Sequence, residues 1–264
     1  GRLRLVVKVG TSTLTHETGR LNLRNMDRLA RTLSDLEGMG HEVILVSSGA
    51  IGIGTAKLGL QERPSQLRMK QAAAAVGQCM MMHLYDKMFG EYNRVVAQIL
   101  LTGEDVEAPV RAAHLHNTFE SLLELGVIPV VNENDSVSSA EIETGKCKVL
   151  GDNDTLSAMV ARLCGADLLV LLSDIDGLYD ANPRTTPDAK LIHHVEAVTP
   201  ALRAMAGGAG SWRGTGGMAT KLNAAELAMA AGIDMVITNG SRPEDLYRIA
   251  AGEEAGTRFH AKRD

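Results

Sequence analysis

Six short segments hold the residue types that do chemistry. Lys8-Val-Gly10-Thr11-Ser12 sets an ammonium beside a glycine and hydroxyls. Gly214-Thr215-Gly216-Gly217-Met218-Ala219-Thr220-Lys221 sets a second ammonium behind a glycine loop. Ammonium, hydroxyl and backbone N–H groups together make a phosphate cradle. Glycines opening a helix also turn its orphan N–H groups and positive dipole end toward an anion. Neither segment is a Walker A loop, and no strand–GxGxxG–helix fingerprint occurs. Taken singly, Lys8 also reads as a snorkelling surface lysine, and Lys221 as an ordinary helix lysine. Asn132-Glu133-Asn134-Asp135 and Gly151-Asp152-Asn153-Asp154 gather carboxylates and amides. Such a set suits an ammonium, a cation or a hydroxyl-rich ligand. The second set also reads as a helix N-cap, although capping employs one or two of its three polar residues. Ser47-Ser48-Gly49-Ala50 invites a nucleophile at Ser48, but the flanking glycine of G-x-S-x-G is missing. Ser173-Asp174 completes the group. The eight histidines are read as structural or solvated: His114 and His116 point apart on a helix, and His193 and His194 fall in a loop. No metal site is expected from them.

The elements that must position these segments alternate. Apolar runs at Leu3–Val9, Val43–Val46, Arg94–Leu101, Val127–Val131, Leu168–Leu172 and Met235–Thr238 read as strands. Helical spacing appears at Met26–Leu36, Met69–Met88, Arg111–Leu125, Leu156–Leu163 and Met218–Ala231. Ser241-Arg-Pro-Glu244 has the pattern of a capping box and predicts a last helix. Alternation of this kind implies an α/β fold: a mostly parallel central sheet with helices on both faces, a three-layer αβα sandwich. Ligands of such sheets bind beyond the carboxyl ends of the strands, and that is where most of the chemical segments lie. Ala204–Gly217, with its six glycines and one Trp, reads as a ligand loop.

Composition excludes several classes. The chain has 264 residues, 45% hydrophobic and 22% charged, which is ordinary for a globular protein. Net charge is −5 and aromatics reach only 3%. Neither a basic surface nor stacking platforms are available for nucleic acid. No apolar run approaches the ~18 residues of a membrane span. Three cysteines, Cys79, Cys147 and Cys164, give neither C-x-x-C spacing nor an even count, so reduced thiols in a cytoplasmic protein are expected. The twelve Met, several in Met80–Met82, are expected to fill the core or an oligomer contact. Two cationic phosphate segments and an acid/amide pocket suggest phosphoryl transfer onto a small charged acceptor.

Taken together, the segments resemble the amino acid kinase family, and within it the branch that phosphorylates glutamate. The matching pieces are Val7-Lys-Val-Gly-Thr-Ser12, Val46-Ser-Ser-Gly-Ala-Ile51, Lys70-Gln71 with Ala75-Val-Gly-Gln78, Val131-Asn-Glu-Asn-Asp-Ser-Val137, Gly151-Asp-Asn-Asp154, Leu171-Leu-Ser-Asp-Ile-Asp-Gly-Leu-Tyr179 and Gly214–Lys221. The resemblance implies one kinase domain over 1–264, with an N-terminal lobe (about 1–165) for glutamate and a C-terminal lobe (about 166–264) for ATP. It implies ATP-dependent phosphorylation of the side-chain carboxylate of L-glutamate, the first step of proline synthesis, with Mg²⁺ accompanying ATP. Lys8, Asp154 and Lys221 would be catalytic. Ser48, Gly49, Ala50, Asp135 and Asn153 would hold glutamate. Lys8, Gly10, Thr11, Ser173, Asp174 and Thr215, Gly216, Gly217, Met218, Ala219, Thr220, Lys221 would hold ATP. L-proline as feedback inhibitor and a homo-oligomer, dimer or tetramer, are also implied. Two departures are visible: the chain stops at Asp264 where many bacterial members continue into a PUA domain, and the Asp135–Gly151 connection is long, with a hairpin tip expected at Glu143-Thr-Gly-Lys146. Siblings acting on N-acetylglutamate or a carbamate, and a non-catalytic sensor on the same fold, are the alternatives.

Overall fold

The computed structural model describes residues 1–137, 153–206 and 217–262. Its first half runs β1 (Arg4–Val9), α1 (Thr11–Leu14), α2 (Leu23–Gly38), β2 (Glu42–Ser47), α3 (Ala50–Lys57), α4 (Leu67–Gly90), β3 (Val96–Leu101), α5 (Gly103–Glu107), α6 (Pro109–Glu124) and β4 (Ile128–Glu133). The second half runs α7 (Asp154–Cys164), β5 (Leu168–Ser173), β6 (Leu178–Tyr179), β7 (Leu191–Ile192), β8 (His194–Val195), α8 (Pro200–Ala206), α9 (Gly217–Ala230), β9 (Asp234–Asn239), α10 (Asp245–Ala250) and β10 (Thr257–Phe259). Eight strands form one sheet in the order β3-β4-β2-β1-β5-β9-β10-β8. Neighbours are parallel except β9 with β10. The separate β6–β7 pair is antiparallel.

Period two in the strands decides which helix layer each side chain meets. Leu5, Val7 and Val9 of β1 pack in one core with α2 and α4, through Met26, Leu29, Leu33, Met81 and Tyr85. Val6 faces the other core with α6, α7 and α9, through Phe119, Leu156, Val160 and Leu222. β2 and β4 divide the same way: Leu45 and Val130 join the first core, and Val46 and Val131 the second. Both faces are covered, so the strands are apolar on both sides, as parallel sheets require. Lys8 has the parity of Val6, which directs it to the layer of α7 and α9. Asn132 and Ser47 have the parity of Val130 and Leu45, which directs them to the layer of α4. Strand register thus allots the polar strand ends to opposite sides of the sheet edge.

The expected strands and long helices are present, with ends shifted by a few residues. The long helix begins at Leu67 rather than Met69, and the third strand at Val96 rather than Arg94. The three-layer sandwich stands, but beyond β9 its sheet continues through the unexpected antiparallel β10 to β8 at the edge. The short helices α1, α3, α5 and α8 were also not expected. Ala204–Ala206, read as part of a loop, end α8. The capping box at Ser241–Glu244 is a correction. Helix α10 begins after Glu244 with no side-chain cap. Instead the Glu244 carboxylate accepts two hydrogen bonds from the Arg28 guanidinium of α2, at 2.7 and 2.6 Å. A bidentate charged pair outcompetes a cap for the same carboxylate.

Helices α3 and α4 touch backbone to backbone, and glycine is the reason. A Cβ on Gly77 would stand 1.7 Å from the carbonyl oxygen of Ala50, and one on Gly54 1.7 Å from that of Ala73. The contact fixes the start of α3 against α4. Alanine has the higher helix propensity by about 1 kcal/mol, yet Gly77→Ala is expected to destabilise by about 1–3 kcal/mol through overpacking. Thermal unfolding of that variant checks the sign, and a rise in melting temperature would contradict the close contact.

Candidate active site

The first group assembles at the end of β1. Lys8 Nζ lies 2.7 Å from Asp154 Oδ1. Lys221 Nζ lies 3.1 Å from Asp154 Oδ2. Thr220 Oγ1 donates to the same Oδ2 at 3.0 Å. One carboxylate at the start of α7 thereby holds ammonium groups from β1 and α9. Asp154 is 1% exposed, the Lys8 side chain 7% and the Lys221 side chain 14%. Burial pushes the Asp154 carboxyl up, but the charges and hydrogen bonds of Lys8 and Lys221 outweigh it and hold it below the usual carboxylate range. So Asp154 is ionised at neutral pH and is a poor proton acceptor. Two ammonium groups and one carboxylate give the group a net charge of about +1 in a nearly dry place, which favours a further anion.

The N-cap alternative for this cluster fails on geometry. Asn153 stands at the cap position of α7 but makes no side-chain capping bond. Its Nδ2 donates instead to the Ser47 carbonyl at 3.1 Å and to Asn132 Oδ1 at 2.8 Å. Asn132 Oδ1 also accepts from the Glu133 backbone N–H at 2.8 Å. Asn132 Nδ2 donates to Gln78 Oε1 of α4 at 2.6 Å. Three amides from α7, β4 and α4 therefore form one buried chain across the strand ends. Beneath it, Ser47 Oγ and the Tyr85 hydroxyl share a hydrogen bond of 2.8 Å. Burial raises the Tyr85 phenol well above its usual range, and the Ser47 bond opposes this only in part.

A cavity of about 210 Å³ opens beside this chain, lined by Ala50, Ala74, Gln78, Glu133 and Asp135 among others. Asp135 is buried. Ser48 is buried too, with no partner for its Oγ among the described residues. Gly49 caps α3 with φ +105°, a value that L side chains rarely adopt. This sharp entry leaves the first N–H groups of α3 without a side-chain cap. A crevice of about 800 Å³ lies beyond β5 and β9, lined by Ser12, Thr13, Asn25, Ser173, Asp174 and Asn239.

The structure brings Lys8, Asp154, Thr220 and Lys221 into direct contact and sets Gly10 beside Lys8. An added Cβ on Gly10 would lie 3.5 Å from Lys8 Nζ. Thr11 abuts Gly49, with 3.6 Å between its Oγ1 and an added Cβ there. Ala50 and Asp135 share the cavity, whereas Asn153 joins it only through Asn132. Ser173 and Asp174 stand in the separate crevice. Gly217 and Met218 open α9, with Met218 buried and Ala219 exposed. Thr215, Gly216, Cys147 and the hairpin tip Glu143–Lys146 lie outside the described residues. The site residues implied by the resemblance include neither Asn132 nor Gln78, although both lie in its matching segments. The signal was present for Asn132, a polar residue ending an all-apolar strand. For Gln78 it was faint: one of two amides, with Gln71, in an Ala- and Met-rich helix.

Among the described residues no cluster of His, Cys, Asp and Glu fits a metal ion, and no helix is long and apolar enough to cross a membrane. Two lysines paired on one carboxylate thus stand next to an acid/amide pocket. The whole chain compares with kinases. It is 55% identical to a glutamate 5-kinase of Clostridium perfringens, over 98% of this chain and 96% of that one. It is 52% identical to a glutamate 5-kinase of Listeria innocua, over 99% and 94%. Among solved structures, a carbamate kinase of Giardia lamblia bound to AMP-PNP superposes with TM-score 0.67 at 15% identity, covering 99% of both chains. A UMP kinase of Ureaplasma parvum gives 0.66 at 13%, covering 98% and 99%. The amino acid kinase family profile matches residues 3–239. On that match and those relatives, the chain belongs to the amino acid kinase family.

Proposed function

We propose that this chain transfers the γ-phosphoryl group of ATP to the side-chain carboxylate of L-glutamate, giving L-glutamyl 5-phosphate for proline synthesis. The observation that carries the chemistry is Asp154 held between Lys8 and Lys221. The acceptor is named by relatives above 50% identity. A carboxylate acceptor is already ionised at neutral pH, its unperturbed pKa being about 4.3. No general base is needed, and Asp154, engaged on both oxygens, offers none. The difficulty is bringing one anion in line with another. Lys8 and Lys221 neutralise phosphate charge from two directions, and Asp154 holds their ammonium groups at a fixed spacing. A phosphoenzyme is not required.

The N-terminal lobe (about 1–165) holds glutamate in this reading, and the C-terminal lobe (about 166–264) holds ATP. Asp135 takes the α-ammonium; Ser48, Asn153 and the N–H groups around Gly49 and Ala50 take the rest of glutamate. Gly10, Thr11, Ser173, Asp174 and the 215–221 loop surround the nucleotide. Mg²⁺ bound to ATP would lower the charge of its phosphates. Such an ion relies mostly on phosphate oxygens and water, which fits a site whose central carboxylate is taken by lysines. Free thiols at Cys79 and Cys164 suit a cytoplasmic protein. Exposed Val95, Leu100 and Leu125 around the β3 edge suit a homo-oligomer. L-proline, which shares the α-amino acid end of glutamate, is the expected inhibitor.

ADP release with a panel of acceptors tests the proposal. Glutamate should support turnover, and N-acetylglutamate, which lacks the ammonium, should not. Preference for N-acetylglutamate would replace the reading with that of a sibling kinase. Asp135→Asn should raise the glutamate KM at least about 100-fold, since breaking one side of a buried charge pair costs about 3–5 kcal/mol. The KM for ATP should hardly move. An unchanged glutamate KM would remove Asp135 from acceptor binding.

A further inference from the structure

We propose that Gln78 reads the α-carboxylate of the acceptor amino acid, donating from its Nε2. This rests on the reading of the site as an amino acid kinase for glutamate. The orientation of the three buried amides is settled by backbone groups, which cannot flip. The Ser47 carbonyl can only accept, so the Asn153 atom beside it is Nδ2. The Glu133 N–H can only donate, so the Asn132 atom beside it is Oδ1. Asn132 Nδ2 is then the donor toward Gln78, whose facing atom must be Oε1. Gln78 Nε2 is left over. It is buried and has no partner among the described residues.

Gln78 lines the same cavity as Asp135 and Glu133. An amino acid whose ammonium meets Asp135 carries its α-carboxylate on the same carbon. That carboxylate arrives beside two acidic residues and needs a donor. A lysine there would pair with Asp135 and block the ammonium. A neutral amide donor does not compete for Asp135, and a buried unpaired donor gains most from a charged acceptor. Ser48 has the other unpartnered buried hydroxyl of the region but does not line this cavity. Arg63 is the cation close enough to feel the charge of Asp135, and is the competing reader.

Gln78→Glu is the informative variant. It keeps an oxygen for Asn132 Nδ2, so the amide chain survives, and it replaces the donor by a carboxylate oxygen. Glutamate is compared with its α-amide, isoglutamine, which keeps the α-ammonium and the side-chain carboxylate. At pH 8.5 the ratio of kcat/KM for glutamate over isoglutamine should fall by about 100-fold or more in Gln78→Glu, because like charges are juxtaposed only with glutamate. The change should lie in KM, with melting temperature near wild type. Arg63→Gln should leave the ratio within about threefold, far below that charge effect. The proposal is overturned if Gln78→Glu leaves the ratio unchanged, if it lowers both acceptors equally, or if Arg63→Gln moves the ratio instead. Wild type inactive on glutamate is a different result, and would overturn the kinase reading itself.

Discussion

Lys221→Met is expected to lower kcat by about 10²–10³, the usual cost of removing one electrostatic donor from a transfer site. The methionine keeps the stem and loses the charge. Lys221 stands one turn into α9, with its ammonium 3.1 Å from Asp154 and its side chain mostly buried. Charge on the transferring group and the leaving oxygen is redistributed in the transition state, so a cation there acts on kcat more than on ground-state binding. The glutamate KM should change by less than about threefold, since the lost interaction is not made with the acceptor. Lys221→Arg should rescue only in part, because a planar fork does not reproduce a compact point charge on Asp154. Steady-state kinetics with a melting curve as control decide the matter. Near-normal kcat in folded Lys221→Met would leave Lys8 as the protein cation at the transfer site.

Asp154→Asn should be inactive and also less stable, which separates it from Lys221→Met. Asp154 is the buried counter-charge of two lysines, so its loss strands both. Breaking a buried pair in this way costs about 3–5 kcal/mol, or roughly 6–20 °C in melting temperature for a chain of this size. Losing a simple helix cap would cost only about 0.5–2 kcal/mol. ATP should restore more stability to Asp154→Asn than to wild type, since phosphates can replace the lost charge. The pH dependence has a definite sign. The folded carboxyl titrates below its ordinary value, so its contribution is present above about pH 3.9 and fades as pH falls below that. The stability gap between wild type and Asp154→Asn should therefore narrow in acid. A gap of cap size, insensitive to ATP, would contradict the two-lysine role.

Much of this was legible in the residues, and the limits have physical causes. The parallel sheet followed from apolar runs alternating with helical spacing, because both faces of each strand are covered. The strand β10, which lies between β9 and the edge strand β8, was not legible: Thr257–Phe259 is three residues long and carries no periodicity. The short helix α3 was hidden because its apolar and glycine content serves contact with α4, not an amphipathic pattern. Asp154 could be read as a cap or as a charge centre, and only the arrival of Lys8 and Lys221 from elements distant in sequence separates the two. Gln78 was illegible as a site residue because its role depends on which way Asn132 and Asn153 face. That is fixed by backbone groups of β2 and β4.

The central claim is direct transfer from ATP to the side-chain carboxylate of glutamate, and hydroxylamine trapping tests it most directly. With ATP, Mg²⁺ and L-glutamate, an acyl phosphate released by the enzyme reacts with hydroxylamine to give glutamyl 5-hydroxamate. The account predicts hydroxamate formed in step with ADP, dependent on glutamate, and absent with Lys221→Met on the same timescale. ADP formed without hydroxamate, or no ATP turnover in the presence of glutamate, would contradict it.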